Sequence, residues 1–292
     1  MKSLPILIKV TIALTILLIG WGGLTTNTFS GMGCGDDWPL CHGGLFPDWT
    51  ERDQVVEWTH RALALLVGGF LSVIVALSAR IKGLRRPVLA SLVLLLLQAG
   101  LGMATVRLET ASIVINAIHL GIAILFLCSL VILHEYVTSK NGKSGGETIV
   151  KLTRWVAIIF FVQIILGALA LHAKFPHEGW VGAATPLRHT HATLGVVVLV
   201  MAMILSARAR RTGTRGLVAP AYLLSSLSGI QMFLGFGLLG MVPLSYLHAL
   251  VAHIMAAASL IALVVLLMQR IPKGCPLAKV CIGRCPTDKN GA

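Results

Sequence analysis

Residues 60–79 read His60-Arg-Ala-Leu-Ala-Leu-Leu-Val-Gly-Gly-Phe-Leu-Ser-Val-Ile-Val-Ala-Leu-Ser-Ala79. After one histidine and one arginine the run carries no further charge, and a helix of roughly 20 such residues crosses about 30 Å of hydrocarbon. Seven more stretches have the same character, near 6–26, 88–106, 112–134, 152–171, 190–207, 217–240 and 246–268. Composition agrees. Of 292 residues 56% are hydrophobic and 12% charged, with a mean hydropathy of +0.87, whereas soluble domains carry about 25% charged residues. The chain reads as an all-α, polytopic membrane protein of eight transmembrane helices. The longest remaining segment, about 26–58, is too short for a soluble domain of its own.

Orientation follows from the basic residues. Arg80, Lys82, Arg85 and Arg86 flank one connection, Lys140, Lys143, Lys151 and Arg154 the next, and Arg208, Arg210, Arg211 and Arg215 a third. Lys2 and Lys9 at one terminus and Arg270, Lys273, Lys279, Arg284 and Lys289 at the other fall on the same side, which accounts for nineteen of the 24 Lys and Arg residues. The positive-inside rule makes this side, and both termini, cytoplasmic. The net charge of +13 is thus a topology signal. Nucleic-acid binding is excluded as its cause, because the charges are spread over short loops without interleaved aromatics. Trp21-Gly22-Gly23-Leu24 after the first stretch lacks a small-x-small cleavage pattern, so the first span is expected to stay in place.

An internal repeat organises the eight spans. His60-Arg-Ala-Leu63 is echoed by His191-Ala-Thr-Leu194, Gln98-Ala-Gly-Leu-Gly102 by Gln231-Met-Phe-Leu-Gly235, and Ala117-Ile-His119 by Val251-Ala-His253. The separations are 131, 133 and 134 residues. A third copy of the glutamine motif, Gln163-Ile-Ile-Leu-Gly167, lies in the fifth span. This pattern predicts two pseudo-repeated four-helix bundles: an N-terminal half over 1–137, a cytoplasmic linker at 138–151, a C-terminal half over 152–270 and a cytoplasmic tail at 271–292. The Q-x-x-L-G motifs read as packing, with small residues allowing close approach and Gln bonding between helices.

Ionisable groups inside a membrane are costly and point to function. His60 and His119 lie on spans running outside to inside, and His191 and His253 occupy the matching places. Helix bundles build haem sites from one imidazole on each of two facing helices. Two matched pairs therefore predict two haem sites near the non-cytoplasmic face. His189 and His248 are off the ligand face by roughly 200° and 140° of helix rotation. His42, His172, His177 and His134 read as solvated or interfacial.

Glu57 stands three residues before His60, on the same helical face. Beside a haem edge it could accept protons, or it could be a first-turn charge favoured by the helix dipole. The matching residue in the second half is Arg188, so one half looks reactive and the other like a haem holder. Arg61 and Arg188 suit either haem propionates or snorkelling to the interface.

Cys34 and Cys41 lie in the first outer loop, on the oxidising side, where a disulfide is expected; a redox-active pair is the other reading. Cys128 falls inside the fourth span. Cys275, Cys281 and Cys285 sit in the tail at a C-x5-C-x3-C spacing that fits no common zinc pattern.

Gly31-Met-Gly-Cys34-Gly-Asp-Asp-Trp38-Pro39-Leu40-Cys41-His42-Gly43, Glu57-Trp58-Thr59-His60-Arg61 and the four repeat-related histidines together resemble the heme A synthase family over nearly the whole chain. The resemblance implies oxidation of the C8 methyl of heme O to a formyl group through an alcohol, for cytochrome oxidase assembly. His60 and His119 would face the substrate haem, His191 and His253 would ligate the iron of a heme b cofactor, Glu57 would act in the methyl oxidation, and Cys34 and Cys41 would form the loop disulfide. It also implies a multi-pass protein of the cell (inner or plasma) membrane, in contact with lipid. Its expected associates are heme O synthase, an electron-transfer partner, oxidase assembly factors and a second copy of the chain. Some family members carry a second cysteine pair in the corresponding loop of the other half; here Leu171 to His189 has none. Two rival functions use the same histidines: a di-haem electron-transfer cytochrome, and a haem carrier. Neither accounts for the one-sided Glu57 and cysteine loop.

Overall fold

The computed structural model describes residues 3–79, 81, 83–107, 113–138, 147–172, 181–211, 215–238 and 246–270. These form eight long helices: α1 (Ser3–Asn27), α2 (Arg52–Ser78), α3 (Arg85–Arg107), α4 (Ile113–Thr138), α5 (Glu147–His172), α6 (Val181–Arg211), α7 (Arg215–Leu238) and α8 (Tyr246–Arg270). Each contains a window long and apolar enough to span a membrane. His177, the tail cysteines Cys275, Cys281 and Cys285, and most of the 138–151 linker lie outside the described residues.

Every predicted span is matched by one helix. The largest differences are at the N-terminal ends of α2 and α6, which start at Arg52 and Val181, before the apolar run begins. In α2 the reason is visible. Glu51 enters in an extended conformation and Asp53 occupies the first turn, where the helix dipole favours an acid. The α1–α2 loop then covers this polar turn: Ser30 Oγ donates to Asp53 Oδ1 at 2.8 Å, and Trp21 Nε1 of α1 donates to the Val56 carbonyl at 2.9 Å. Tertiary cover carries the helix beyond the apolar run.

α1, α4, α5 and α8 make up the middle of the bundle, with α2 and α3 flanking one side and α6 and α7 the other. Neighbours run α1–α2–α3–α4 and back to α1, and likewise α5–α6–α7–α8 and back to α5. The two rings meet through α1 against α8, α4 against α5, and α4 against α8. Burial follows this layout: 56% of the apolar window of α8 is buried but only 11% of that of α3, so α3 turns most of its surface outward. Ala256, Ala257 and Ala258 are buried on α8, small enough for close helix approach.

One apolar cluster, with Ile8, Val67, Leu71, Ile74, Leu130 and Leu133, lies within α1–α4. The larger cluster joins Leu205, Leu217, Leu224, Ala258 and Leu267 to Ile19 of α1 and Leu127 of α4. The halves therefore share a core across the 138–151 boundary. At the far end of α4, Glu135 accepts from Arg270 Nε and Nη2 of α8 at 2.8 and 2.7 Å, and His134 Nδ1 lies 3.1 Å from the same carboxylate. His134 is only 7% exposed, contrary to the solvated or interfacial role expected of it, and its ring partner is the Glu135 carboxylate that Arg270 of α8 also holds.

Candidate functional site: a loop clasp and four intramembrane histidines

The α1–α2 loop is folded around a Cys34–Cys41 disulfide with Cα atoms 4.3 Å apart, as the sequence predicts. Gly33 packs so tightly on α2 that a Cβ there would stand 2.3 Å from the Asp53 carbonyl group. This docking brings the Cys34 N–H to Glu57 Oε2, at 2.7 Å. Arg61 Nε donates to Glu57 Oε1 at 3.1 Å, with Nη2 reinforcing the ion pair. Arg61 also donates to the carbonyls of Asp37, Leu40 and Gly35. Glu57 and Arg61 are 3% and 8% exposed.

Two expectations change here. Arg61 does not snorkel: its head group is buried, because the loop folds over it and supplies three carbonyl acceptors. Glu57 is not a first-turn dipole charge either. The helix begins at Arg52, so Glu57 sits in the second turn, where the dipole effect has faded, and its donors are Arg61 and Cys34. Arg188, its repeat counterpart, is exposed on α6.

The four histidines each face a glycine on the neighbouring helix. A Cβ at Gly22 of α1 would lie 3.1 Å from His60 Cε1, and one at Gly167 of α5 would lie 2.7 Å from His191 Cε1. Gly102 of α3 and Gly235 of α7 stand at 3.5 Å from His119 and His253 in the same sense. The glutamines of the Q-x-x-L-G motifs complete the contacts. Gln98 donates its amide to His119 Nε2 at 2.9 Å, and Gln231 to His253 Nε2 at 3.1 Å. Gln163 Nε2 donates to the His191 carbonyl at 2.7 Å, and His191 Nδ1 donates to the Gln163 carbonyl at 3.1 Å. The motifs read in sequence as packing are the direct partners of three histidines; their i, i+4 spacing, with Gln and Gly stacked on one helix face, was the available signal.

These contacts fix the tautomers. An amide donor requires a lone pair on Nε2 of His119 and His253, and Nδ1–H donation leaves one on Nε2 of His191. Neutral imidazole with a lone pair is the form that binds a metal. His191 and His253 have ring centres 6.4 Å apart, and two imidazoles sharing one iron at metal–nitrogen distances of about 2 Å have centres roughly 6 Å apart. Nδ1 of His60, His119 and His253 is buried without a hydrogen-bond partner among the described residues, an arrangement that costs stability unless something else compensates. The 6.4 Å spacing of His191 and His253 is what a shared haem iron would need; the Gln98 and Gln231 amides stand on Nε2 of His119 and His253 and would have to turn away for either ring to bind iron. Among the described residues no cluster of three or more His, Cys, Asp or Glu side chains could hold a bare metal ion.

The other histidines fall away from this site. His189 and His248 are exposed, and His42 is an exposed loop residue whose Nε2 lies 2.9 Å from the Gly33 carbonyl. Cys128 is half-buried in α4 and is not disulfide-bonded.

Fold and site together define a polytopic α-helical membrane protein with two intramembrane histidine pairs, one of them three residues along α2 from a buried carboxylate clasped to a disulfide loop. Over residues 5–265 the chain matches the COX15-CtaA model, cytochrome oxidase assembly protein, and it belongs to that family. It is 29% identical over 207 residues to the heme A synthase of Exiguobacterium sibiricum, covering 67% of this chain and 69% of that protein. It is 34% identical over 178 residues to the heme A synthase of Bacillus licheniformis, covering 56% and 57%. The match to that of Staphylococcus aureus strain JH9 is also 34% identical, over 183 residues and 58% and 59%. The chain thus spans under three-fifths of the length of the last two relatives.

Proposed function

We propose that this protein is a heme A synthase, an oxidoreductase that converts the C8 methyl of heme O to a formyl group by way of an alcohol. The observation that carries the reading is the inequality of two otherwise matched histidine pairs. Three residues before His60 on α2 stands Glu57, buried; at the matching place before His191 stands Arg188. Family membership over residues 5–265 and the names of the relatives support it.

In this reading His60 and His119 receive the substrate haem, and His191 and His253 hold heme b. When bound, heme b supplies redox chemistry that no side chain has. Glu57 takes up a proton as the methyl carbon is oxidised; general bases of this kind contribute about 10²–10⁴-fold. Arg61 and the Cys34 N–H hold both carboxylate oxygens, which keeps Glu57 aimed along its own face of α2. The loop above them, closed by Cys34–Cys41, covers the carboxylate and limits water. The haem pairs lie towards the non-cytoplasmic face of the cell membrane by the basic-loop argument.

Pigment extraction tests the reading. Membranes holding this chain together with a source of heme O should accumulate hydroxylated and formylated haem. Membranes that contain only heme O and protohaem would favour the di-haem electron carrier instead.

A further inference from the structure

The two halves differ on one side only. His119 and His253 have the same surroundings: a Gln amide on Nε2, a glycine at 3.5 Å and an unpartnered Nδ1. The contrast lies between His60 and His191. His191 is braced twice against α5, through its ring to the Gln163 carbonyl and through its own carbonyl from the Gln163 amide. His60 Nδ1 has no hydrogen-bond partner among the described residues.

The sequence difference behind this is a matched pair of residues. Gln163 stands four before Gly167, the glycine facing His191, and the residue four before Gly22, which faces His60, is Leu18. Gly195 stands four after His191, where a Cβ would lie 3.1 Å from Gln163 Nε2; four after His60 stands Ala64. The amide and the space it needs occur together in one half and are both missing in the other.

We infer that Gln163 and Gly195 are positioning residues that make the C-terminal pair retain its haem, and that Leu18 and Ala64 leave the N-terminal pair able to exchange one. The physical ground is the outer-shell hydrogen bond. An imidazole whose Nδ1–H is held by a carbonyl has its tautomer and ring plane fixed and its ligating nitrogen made more basic, and loss of such a partner lowers metal affinity roughly 10- to 100-fold. Here that carbonyl belongs to the Gln163 main chain; the Gln163 side chain acts by holding the His191 backbone against α5, the approach that lets the ring reach the carbonyl, and a leucine such as Leu18 can make no such bond. A cofactor must stay bound through many turnovers, whereas a substrate must enter and its product must leave. The inference rests on the proposed assignment of cofactor and substrate halves.

The test follows haem leaving the purified, haem-loaded full chain for excess apomyoglobin. Gln163→Leu with Gly195→Ala should release its low-spin haem roughly 10- to 100-fold faster than wild type, with a broadened low-spin electron paramagnetic resonance signal from the loosened ring. Leu18→Gln with Ala64→Gly should slow release from the N-terminal pair, so that the protein purifies with more haem than wild type. His253→Ala is run alongside. If it loses the low-spin haem while Gln163→Leu/Gly195→Ala keeps the wild-type rate and signal, the inference is overturned and the haem assignment stands. If His253→Ala leaves the haem in place, the assignment itself fails. Should the first double variant not fold, the second decides: unchanged release from the N-terminal pair overturns the inference.

Discussion

Glu57 and Arg61, one turn apart on α2, form a buried ion pair whose two members reach the same loop. Glu57 accepts the Cys34 N–H and Arg61 donates to the carbonyls of Gly35, Asp37 and Leu40. The helix that carries His60 thereby also holds the loop over it, and the geometry of carboxylate, histidine and disulfide is set by one element.

Removing one member of such a pair leaves the other buried and uncompensated, which costs about 3–5 kcal/mol. Arg61→Leu should therefore lower the thermal midpoint of the detergent-solubilised protein and expose the loop to proteolysis. Arg61→Lys keeps the charge but loses the planar fork, and should fall between the two. An Arg61→Leu midpoint equal to wild type would mean that the clasp contributes nothing.

Cys34→Ser opens an eight-residue loop whose closure contributes roughly 2.5 kcal/mol on the chain-entropy model. The clasp of Glu57 and Arg61 remains, so haem oxidation should fall partially and in step with the folded fraction. Complete inactivity in protein that is folded and carries haem would give the cysteines a chemical role.

The four glycines facing the histidines are not equivalent. Alanine at Gly167 would bring a Cβ to 2.7 Å from His191, closer than real contacts allow, while at Gly102 and Gly235 the distance is an ordinary 3.5 Å. Gly167→Ala should lower haem retention severalfold or more, and Gly102→Ala and Gly235→Ala should leave it close to wild type. Haem-to-protein ratios after purification measure both. Equal effects at all three positions would contradict this ordering.

Spans and the disulfide were readable in the sequence because each depends on a local pattern: apolar run length, and two cysteines in one loop. What the sequence did not disclose depends on tertiary cover. Arg61 has the look of an interfacial arginine until a loop supplies carbonyls for it. Glu57 resembles a first-turn acid only if α2 starts at the apolar run, and loop packing extends the helix to Arg52. The Q-x-x-L-G glutamines do bond between helices, as read; that their partners are the histidines, 21 to 28 positions away, is a pairing no periodicity encodes. His134 looked interfacial because the Arg270 bond to its ring partner Glu135 spans 135 positions.

That last ion pair joins the two halves at the end of α4 and α8. Glu135 is buried and Arg270 is a third exposed, so Arg270→Gln should cost less than a fully buried break, on the order of 2 kcal/mol. Haem content of the folded protein should not change. A thermal midpoint at wild-type level would show that the halves do not depend on this bond.

The central claim is that the half bearing Glu57 performs the chemistry while the other half holds the cofactor. Glu57→Gln keeps the size of the side chain but removes its charge and proton-accepting capacity, and it leaves one acceptor oxygen where Arg61 and the Cys34 N–H use two, so Arg61→Leu is run beside it to separate loss of the clasp from loss of the base. Heme A formed per mole of folded, heme b-containing Glu57→Gln protein, supplied with heme O, is the decisive measurement. The account predicts a fall of about a hundredfold or more relative to wild type with heme b retained at His191 and His253. A yield near that of wild type would contradict it.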